Sequence, residues 1–402
     1  MTNEEIAKKI PEYVRRVSDR LYSAGEEAYI VGGSLRDIML GTEPHDFDLA
    51  SSAKPERVME IFSDMRVIAT GLQHGTVTVI SEGHPLEITT FRIDGSYTDS
   101  RHPDSVSFTS RIEDDLSRRD FTVNAMAFSE HRGLVDPFFG RDDLKAAKIR
   151  AVGEPERRFS EDALRIMRAF RFSAQLGFSI DEATIEGAVR CRRGLLSIAR
   201  ERISAELIKL LTSDSPEGAL RTMRDREILS EILSGYVPED RVLSLICDMP
   251  KTDFARLGIF LCSADEGQAR EILRSLRCSN KQITGGLAVR RGAFTSIETK
   301  ADARRFIASC GAYFEEAARA SVLMGSSPRE ALAWVRENNS ACTLSELEIG
   351  GRDLAKLGIG GKEIGRILDR LLERVIEDPE LNRREILIEL AEKMKEEKGN
   401  LI

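Results

Sequence analysis

Ala28-Tyr29-Ile30-Val31-Gly32-Gly33-Ser34-Leu35-Arg36-Asp37, followed by Asp46-Phe47-Asp48, is the stretch on which the fold turns. The first four residues form a short apolar run and Leu35–Leu40 reads as a helix, so the paired glycines mark a strand-to-helix turn. Such a turn lets backbone N–H groups approach phosphate oxygens at the favourable end of a helix dipole. A purely structural tight turn has the same signature. His45–Ala50 alternates like a strand, and residues two apart on a strand point to one side. Asp46 and Asp48 are therefore expected to project together beside the glycine turn. Two such carboxylates repel unless a cation intervenes, and magnesium prefers hard carboxylate oxygens completed by substrate phosphates.

Working outward, residues 4–24 read as a helix, and Thr76–Ile80 and Leu86–Phe91 as strands. Residues 1–145 thus predict an α/β unit, a mixed sheet with helices. Glu87 lies on the second of these strands and is a candidate third carboxylate, although a solvent-facing edge glutamate fits the same pattern. The polar stretch between Arg92 and Phe108 predicts a mobile loop joining two strands. Further on, Asp115-Leu116-Ser117-Arg118-Arg119-Asp120 precedes an apolar stretch containing Asn124. Arg119, Asp120 and Asn124 are candidates to grip a phosphate–sugar moiety, or else they belong to a solvated helix start. Past residue 150 strand signals vanish. Amphipathic patterns follow at Glu161–Gly177, Glu201–Leu211, Pro216–Leu229, 363–377 and 383–398, predicting an all-helical remainder.

Composition narrows the class. The net charge of −8 does not advertise a nucleic-acid partner, yet Lys148 to Arg202 holds twelve Lys/Arg against eight Asp/Glu. Phosphate contacts need only such a local basic surface. Six cysteines stand singly with no CxxC pair, which points to a reducing cytoplasm rather than a disulfide framework or zinc site. No uncharged apolar run is long enough to span a membrane. All five histidines lie at or before His131, so the rest of the chain holds no histidine for a metal site or a Ser-His or Cys-His pair.

Taken together these residues resemble the bacterial class II tRNA nucleotidyltransferases, the CCA-adding enzymes and their poly(A) polymerase relatives. The motifs in order are GGSLRD with DFD, LEITTFR, EDDLSRRDFTVNAMA, DPFFGRDDL, RFSEDALRIMRAFRF and ARERISAEL, then the tail GRDLAKLGIGGKEIGRILDRLLERVIEDPELNRREIL. The resemblance implies an elongated, seahorse-like molecule with a nucleotidyltransferase head at 1–145, an all-α neck at 146–212, a body at 213–340 and a tail at 341–402. It implies two-metal nucleotidyl transfer, with two Mg2+ held by Asp46 and Asp48 and Glu87 beside them. Gly32, Gly33, Ser34 and Arg36 would face the triphosphate, and Asp162 and Arg165 would read the base. Arg119, Asp120, Asn124 and Arg168 would support the nucleotide. The partners implied are CTP, ATP and the 3′ end and elbow of tRNA, with either a monomer or a homodimer compatible.

On a helix Asp162 and Arg165, three apart, would share a face. An acceptor beside donors matches the amino group and ring nitrogen that cytosine and adenine both present, and mismatches uracil and guanine. The absence of a long basic C-terminal extension favours CCA addition over polyadenylation. The unshortened loop 93–106 argues against an enzyme restricted to CC and leaves A-only addition open. A non-catalytic RNA-binding relative would be expected to lack one of Asp46 and Asp48.

Overall fold

The computed structural model describes residues 1–72, 75–95, 106–325, 333 and 341–399. The expected loop tip at 96–105 lies outside them. The chain divides into two compact units, residues 1–237 and 238–402. The expected boundaries at 145 and 212 fall inside the first unit, and that at 340 inside the second.

Among its described residues the first unit opens with nine strands: β1 (Ala28–Val31), β2 (Asp48–Ser51), β3 (Arg66–Gly71), β4 (Thr76–Ser81), β5 (His84–Thr90), β6 (Arg92–Asp94), β7 (Val106–Phe108), β8 (Ala127–Ser129) and β9 (Gly133–Val135). Seven of them form one sheet in the order β3-β4-β5-β2-β1-β8-β9, and β6 pairs with β7 alone. The sheet is mixed: β2 and β5 run parallel while β1 is antiparallel to both its neighbours. All four residues of β1 are buried, as a central apolar strand must be. Tyr29, Val31, Ala50, Phe91, Leu116 and Ala127 pack into one core cluster beneath the site.

Several boundaries move for physical reasons. The expected helix at 4–24 is two helices, Asn3–Ala7 and Glu12–Ser23, because Pro11 has no N–H to continue the ladder and restricts Ile10. The strand expected from His45 begins at Asp48, where pairing with Val31 starts. The helix expected over Glu161–Gly177 is broken: Pro155–Glu161 ends at Asp162, which is extended (φ −144°, ψ 105°), and Leu164–Leu176 begins anew. Strand structure also persists past residue 147, as Lys148–Ile149 pairs in parallel with Ser179–Ile180.

The second unit is helical throughout its described residues. Two apolar clusters hold it, one around Ala303, Phe306 and Ala317, the other around Leu354, Leu371, Val375 and Leu387. Buried Arg304 donates to the Ile376 carbonyl at 2.7 Å, satisfying the end of the helix Lys362–Glu377. Among the described residues no helix is long and apolar enough to cross a membrane.

Candidate nucleotide site

Gly32 ends β1 with φ +69°, a left-handed conformation that glycine alone adopts at little cost. A side chain there would also stand 3.1 Å from Arg119 Nη1. The helix Gly33–Leu40 starts at once, so its first N–H groups face the space above the sheet. Arg36 follows on that helix, donating to Asp37 at 2.9 Å and to Asn124 Oδ1 at 2.8 Å. Ser34 turns the other way. Its hydroxyl donates to the Val31 carbonyl at 3.0 Å and the residue is buried, so its side chain does not face the cavity.

Asp48 opens β2 opposite Glu87 of β5, which places the two carboxylates side by side on one face. Asp46 lies in the bend before the strand, not on it, and both aspartates keep accessible carboxylates. The Asp48 carboxyl is pushed up to about 6, first by partial withdrawal from water within the cleft, then by the charges of Asp46 and Glu87, with Arg119 opposing. Negative charge is thus concentrated beyond what the neighbours neutralise, which fits a hard divalent cation. Among the described residues no group of three or more acidic, histidine or cysteine side chains forms a ready cage. A cation there would be completed by substrate oxygens, the usual habit of magnesium.

A cavity of about 580 Å³ opens beside this acidic edge. Its walls carry Arg36, Arg118, Arg119, Arg165, Arg168, Arg171, Arg202 and Lys209 against three carboxylates, Asp48, Asp120 and Asp162. A chain of net charge −8 therefore presents a strongly cationic hollow, the environment a polyphosphate seeks. Gly32, Gly33 and Asn124 also line it, whereas Asp46, Glu87 and Ser34 do not.

Within the cavity the polar side chains hold one another. Asp120 accepts from Arg168 Nε at 2.8 Å and Nη2 at 2.6 Å, and its other oxygen takes the Phe121 N–H and the Asn124 amide. Burial alone would raise its pKa; Arg168 and these hydrogen bonds reverse that and hold it at about 2. Asp162 caps the helix Leu164–Leu176 by accepting the Leu164 N–H at 3.0 Å, which accounts for the break before it, and its second oxygen takes Arg202 Nη2 at 3.1 Å. Arg165 is held by Glu161 at 2.7 Å and by the Arg158 and Arg118 carbonyls, both at 3.1 Å. The Asp162 and Arg165 side chains are thus not bonded to each other, although the Arg165 N–H donates to the Asp162 carbonyl at 3.0 Å, and both residues line the same hollow.

Arg118, Arg171, Arg202, Lys209 and Phe172 were not singled out from the sequence. Phe172 carries the guanidiniums of Arg171 at 4.0 Å and of Arg36 and Arg168 at 5.3 Å from its ring centre, a cation–π cluster that gathers three cations at one wall. Arg202 stands in ARERISAEL, a segment legible as a basic helix, though its partner Asp162 is forty residues away.

A mixed sheet with a Gly-Gly turn, an acidic strand edge and a cationic cavity defines, in class, a nucleotidyltransferase head. The Poly A polymerase head domain model matches residues 28–150, and the model described as "Probable RNA and SrmB- binding site of polymerase A" matches residues 177–239. A CCA-adding enzyme of Ligilactobacillus salivarius is 35% identical, covering 98% of this chain and 100% of that one. Its counterpart from Leuconostoc mesenteroides is 37% identical over 92% of this chain and 94% of its own. Among solved structures, the Bacillus stearothermophilus CCA-adding enzyme in complex with CTP is 29% identical, with a TM-score of 0.76 over 97% of this chain and 100% of that one. The chain belongs to the CCA-adding enzyme family.

Proposed function

We propose that this protein adds C, C and A in turn to the 3′ end of tRNA from CTP and ATP, in the cytoplasm and with magnesium as its metal. The observation that carries the proposal is the single cavity where Asp48, the Gly32-Gly33 turn, Arg168 with Asp120, and Asp162 with Arg165 meet. The end-to-end likeness to CCA-adding enzymes supports it.

Base selection follows from counting what remains free. The hydrogen bonds of Arg165 use three of the five N–H donors of a guanidinium. Each oxygen of Asp162 accepts one hydrogen bond and keeps a second lone pair. An acceptor therefore remains for the exocyclic amino group of cytosine or adenine, and donors for the adjacent ring nitrogen. Uracil and guanine reverse that order and would set carbonyl against carboxylate, costing about 1–3 kcal/mol for each unmade bond.

Asp46 and Asp48, with Glu87 alongside, would hold the metal. The chemistry a divalent ion held there would supply is a lowered pKa for the attacking 3′-hydroxyl and neutralised charge on the triphosphate. The Gly32 and Gly33 backbone, the Ser34 N–H, Arg36 and Arg119 orient the phosphates. Arg168, held by Asp120 beside Asn124, supports the sugar. Residues 341–402 are assigned to the tRNA elbow.

The test incubates purified protein and magnesium with tRNAs ending before CCA, after C and after CC, supplying CTP and ATP separately. Extension by two residues with CTP and then by one with ATP is expected. Growth only on the CC-ended tRNA would identify an A-adding enzyme, and long A tails a polyadenylating one.

A further inference from the structure

Asp115 lies outside the cavity yet binds two of its cations. It sits in the helix Ile112–Ser117 with its side chain 1% exposed. One carboxylate oxygen accepts from Arg118 Nε at 3.0 Å and Nη2 at 2.7 Å, and the other from Arg119 Nη2 at 3.3 Å. The same carboxylate takes the Arg92 N–H at 3.4 Å, at the root of the β6–β7 ribbon. The Arg118 backbone carbonyl, independent of that contact, holds Arg165 Nη2 at 3.1 Å. Arg119 reaches from Asp115 to the edge of Gly32, and its Nε has no hydrogen-bond partner among the described residues.

Two adjacent arginines in a cavity already crowded with positive charge would repel each other and splay. A counter-charge inside the cavity would compete with an incoming triphosphate for the same donors. One buried behind the wall does not: it holds both guanidiniums from outside the cavity that Arg118 and Arg119 line. Burial raises the Asp115 carboxyl, but the charges of Arg118 and Arg119 bring it below its ordinary value, so the pair is ionised throughout the neutral range.

We propose that Asp115 is a positioning residue that fixes Arg118 and Arg119 as a preformed clamp for the nucleoside triphosphate. This rests on the nucleotidyl-transfer reading of the cavity. A pre-set fork binds without the ordering cost a mobile arginine carries. The effect therefore belongs in nucleotide affinity rather than in the chemical step.

The test is a mutant cycle on KM. Asp115→Asn, nearly isosteric, is expected to raise KM for CTP and ATP by a similar factor, roughly ten- to hundredfold if one charge-assisted contact is lost. The CTP-over-UTP preference should hold, because Asp162 is untouched. In a background carrying both Arg118→Ala and Arg119→Ala the same change should add far less, because both of its routes of action are gone. A fall in kcat at constant KM, or fully additive effects, would overturn the proposal. Should Asp115→Asn not fold, Arg119→Lys reads the same link from the other end. A lysine keeps the charge but cannot hold Asp115 and a phosphate at once, so KM near that of Arg119→Ala is expected and a wild-type KM would overturn it. If the unmodified protein incorporates neither nucleotide, the nucleotidyl-transfer reading itself fails. If it does so normally while the cycle is additive, only the role of Asp115 falls.

Discussion

Replacing Asp120 by Asn removes one charge and reverses one hydrogen-bonding atom in a buried network. The carboxylate accepts from four directions: Arg168 twice, the Phe121 N–H and the Asn124 amide. A carboxamide accepts on one side only, so its NH2 must point at another donor, either Arg168 or the Phe121 N–H. The size of the loss can be worked from the titration. In the folded protein the carboxyl titrates at about 2, against 3.8 for the free side chain. That difference corresponds to about 2 kcal/mol of stability at neutral pH. Because the folded-state value is the lower one, this stability is fully present above about pH 5 and lost as pH falls through 4 towards 2. The cost of an unsatisfied buried donor, about 1–3 kcal/mol, is of the same size. Urea titrations of the two proteins, read at the transition the substitution moves, should therefore differ by about 2–3 kcal/mol at pH 7. The difference should shrink as both are taken from pH 5 to pH 2. Equal stability at pH 7, or a gap that stays constant into acid, would refute the reasoning.

Asp48→Ala should abolish incorporation while leaving the tRNA dissociation constant within about twofold, since one carboxylate contributes little to phosphate-driven binding; retained activity at saturating metal would remove Asp48 from the metal site. Arg165→Ala should cost roughly 1–3 kcal/mol of discrimination against UTP and GTP, measured as the ratio of kcat/KM values, and an unchanged ratio would deny it a part in reading the base. Gly140→Ala would place a methyl group 2.2 Å from the Thr122 carbonyl, in the turn that carries Asn124, so thermal unfolding should show a loss of about 1–3 kcal/mol together with weaker nucleotide binding. Gly218→Ala, in the helix Pro216–Asp225 with nothing within 4 Å, should instead stabilise by about 0.5–1 kcal/mol.

The sequence made the glycine turn and the acidic pair legible because both depend on local rules: residue type, spacing and the neighbouring apolar run. It misplaced Asp46 because alternation shows which residues could pair but not where the partner strand ends, and β1 stops at Val31 opposite Asp48. The break at Asp162 was hidden because neither Gly nor Pro marks it. Its only local sign is an aspartate two residues before the Leu164 N–H that it caps. Ser34 fits the glycine-turn motif, and only the fold shows its hydroxyl spent on Val31. The cavity wall was the least legible part. Arg202, Arg171 and Phe172 occupy ordinary positions on amphipathic helices, and what distinguishes them are partners set by tertiary packing. Asp115 was visible only as one charge among several, because nothing in its neighbourhood of sequence says it is buried.

The placement of β1 also governs how the protein must be born. Its first neighbour, β2, follows closely in the chain, but its second, β8, arrives about 100 residues later. At ribosomal speeds of about 5–20 residues per second, one side of the apolar Ala28–Val31 strand waits roughly 5–20 s for its partner. During that interval the nascent chain carries an unpaired hydrophobic edge, the feature that invites aggregation. The rate of translation between residues 51 and 127 therefore sets how long that edge stays exposed.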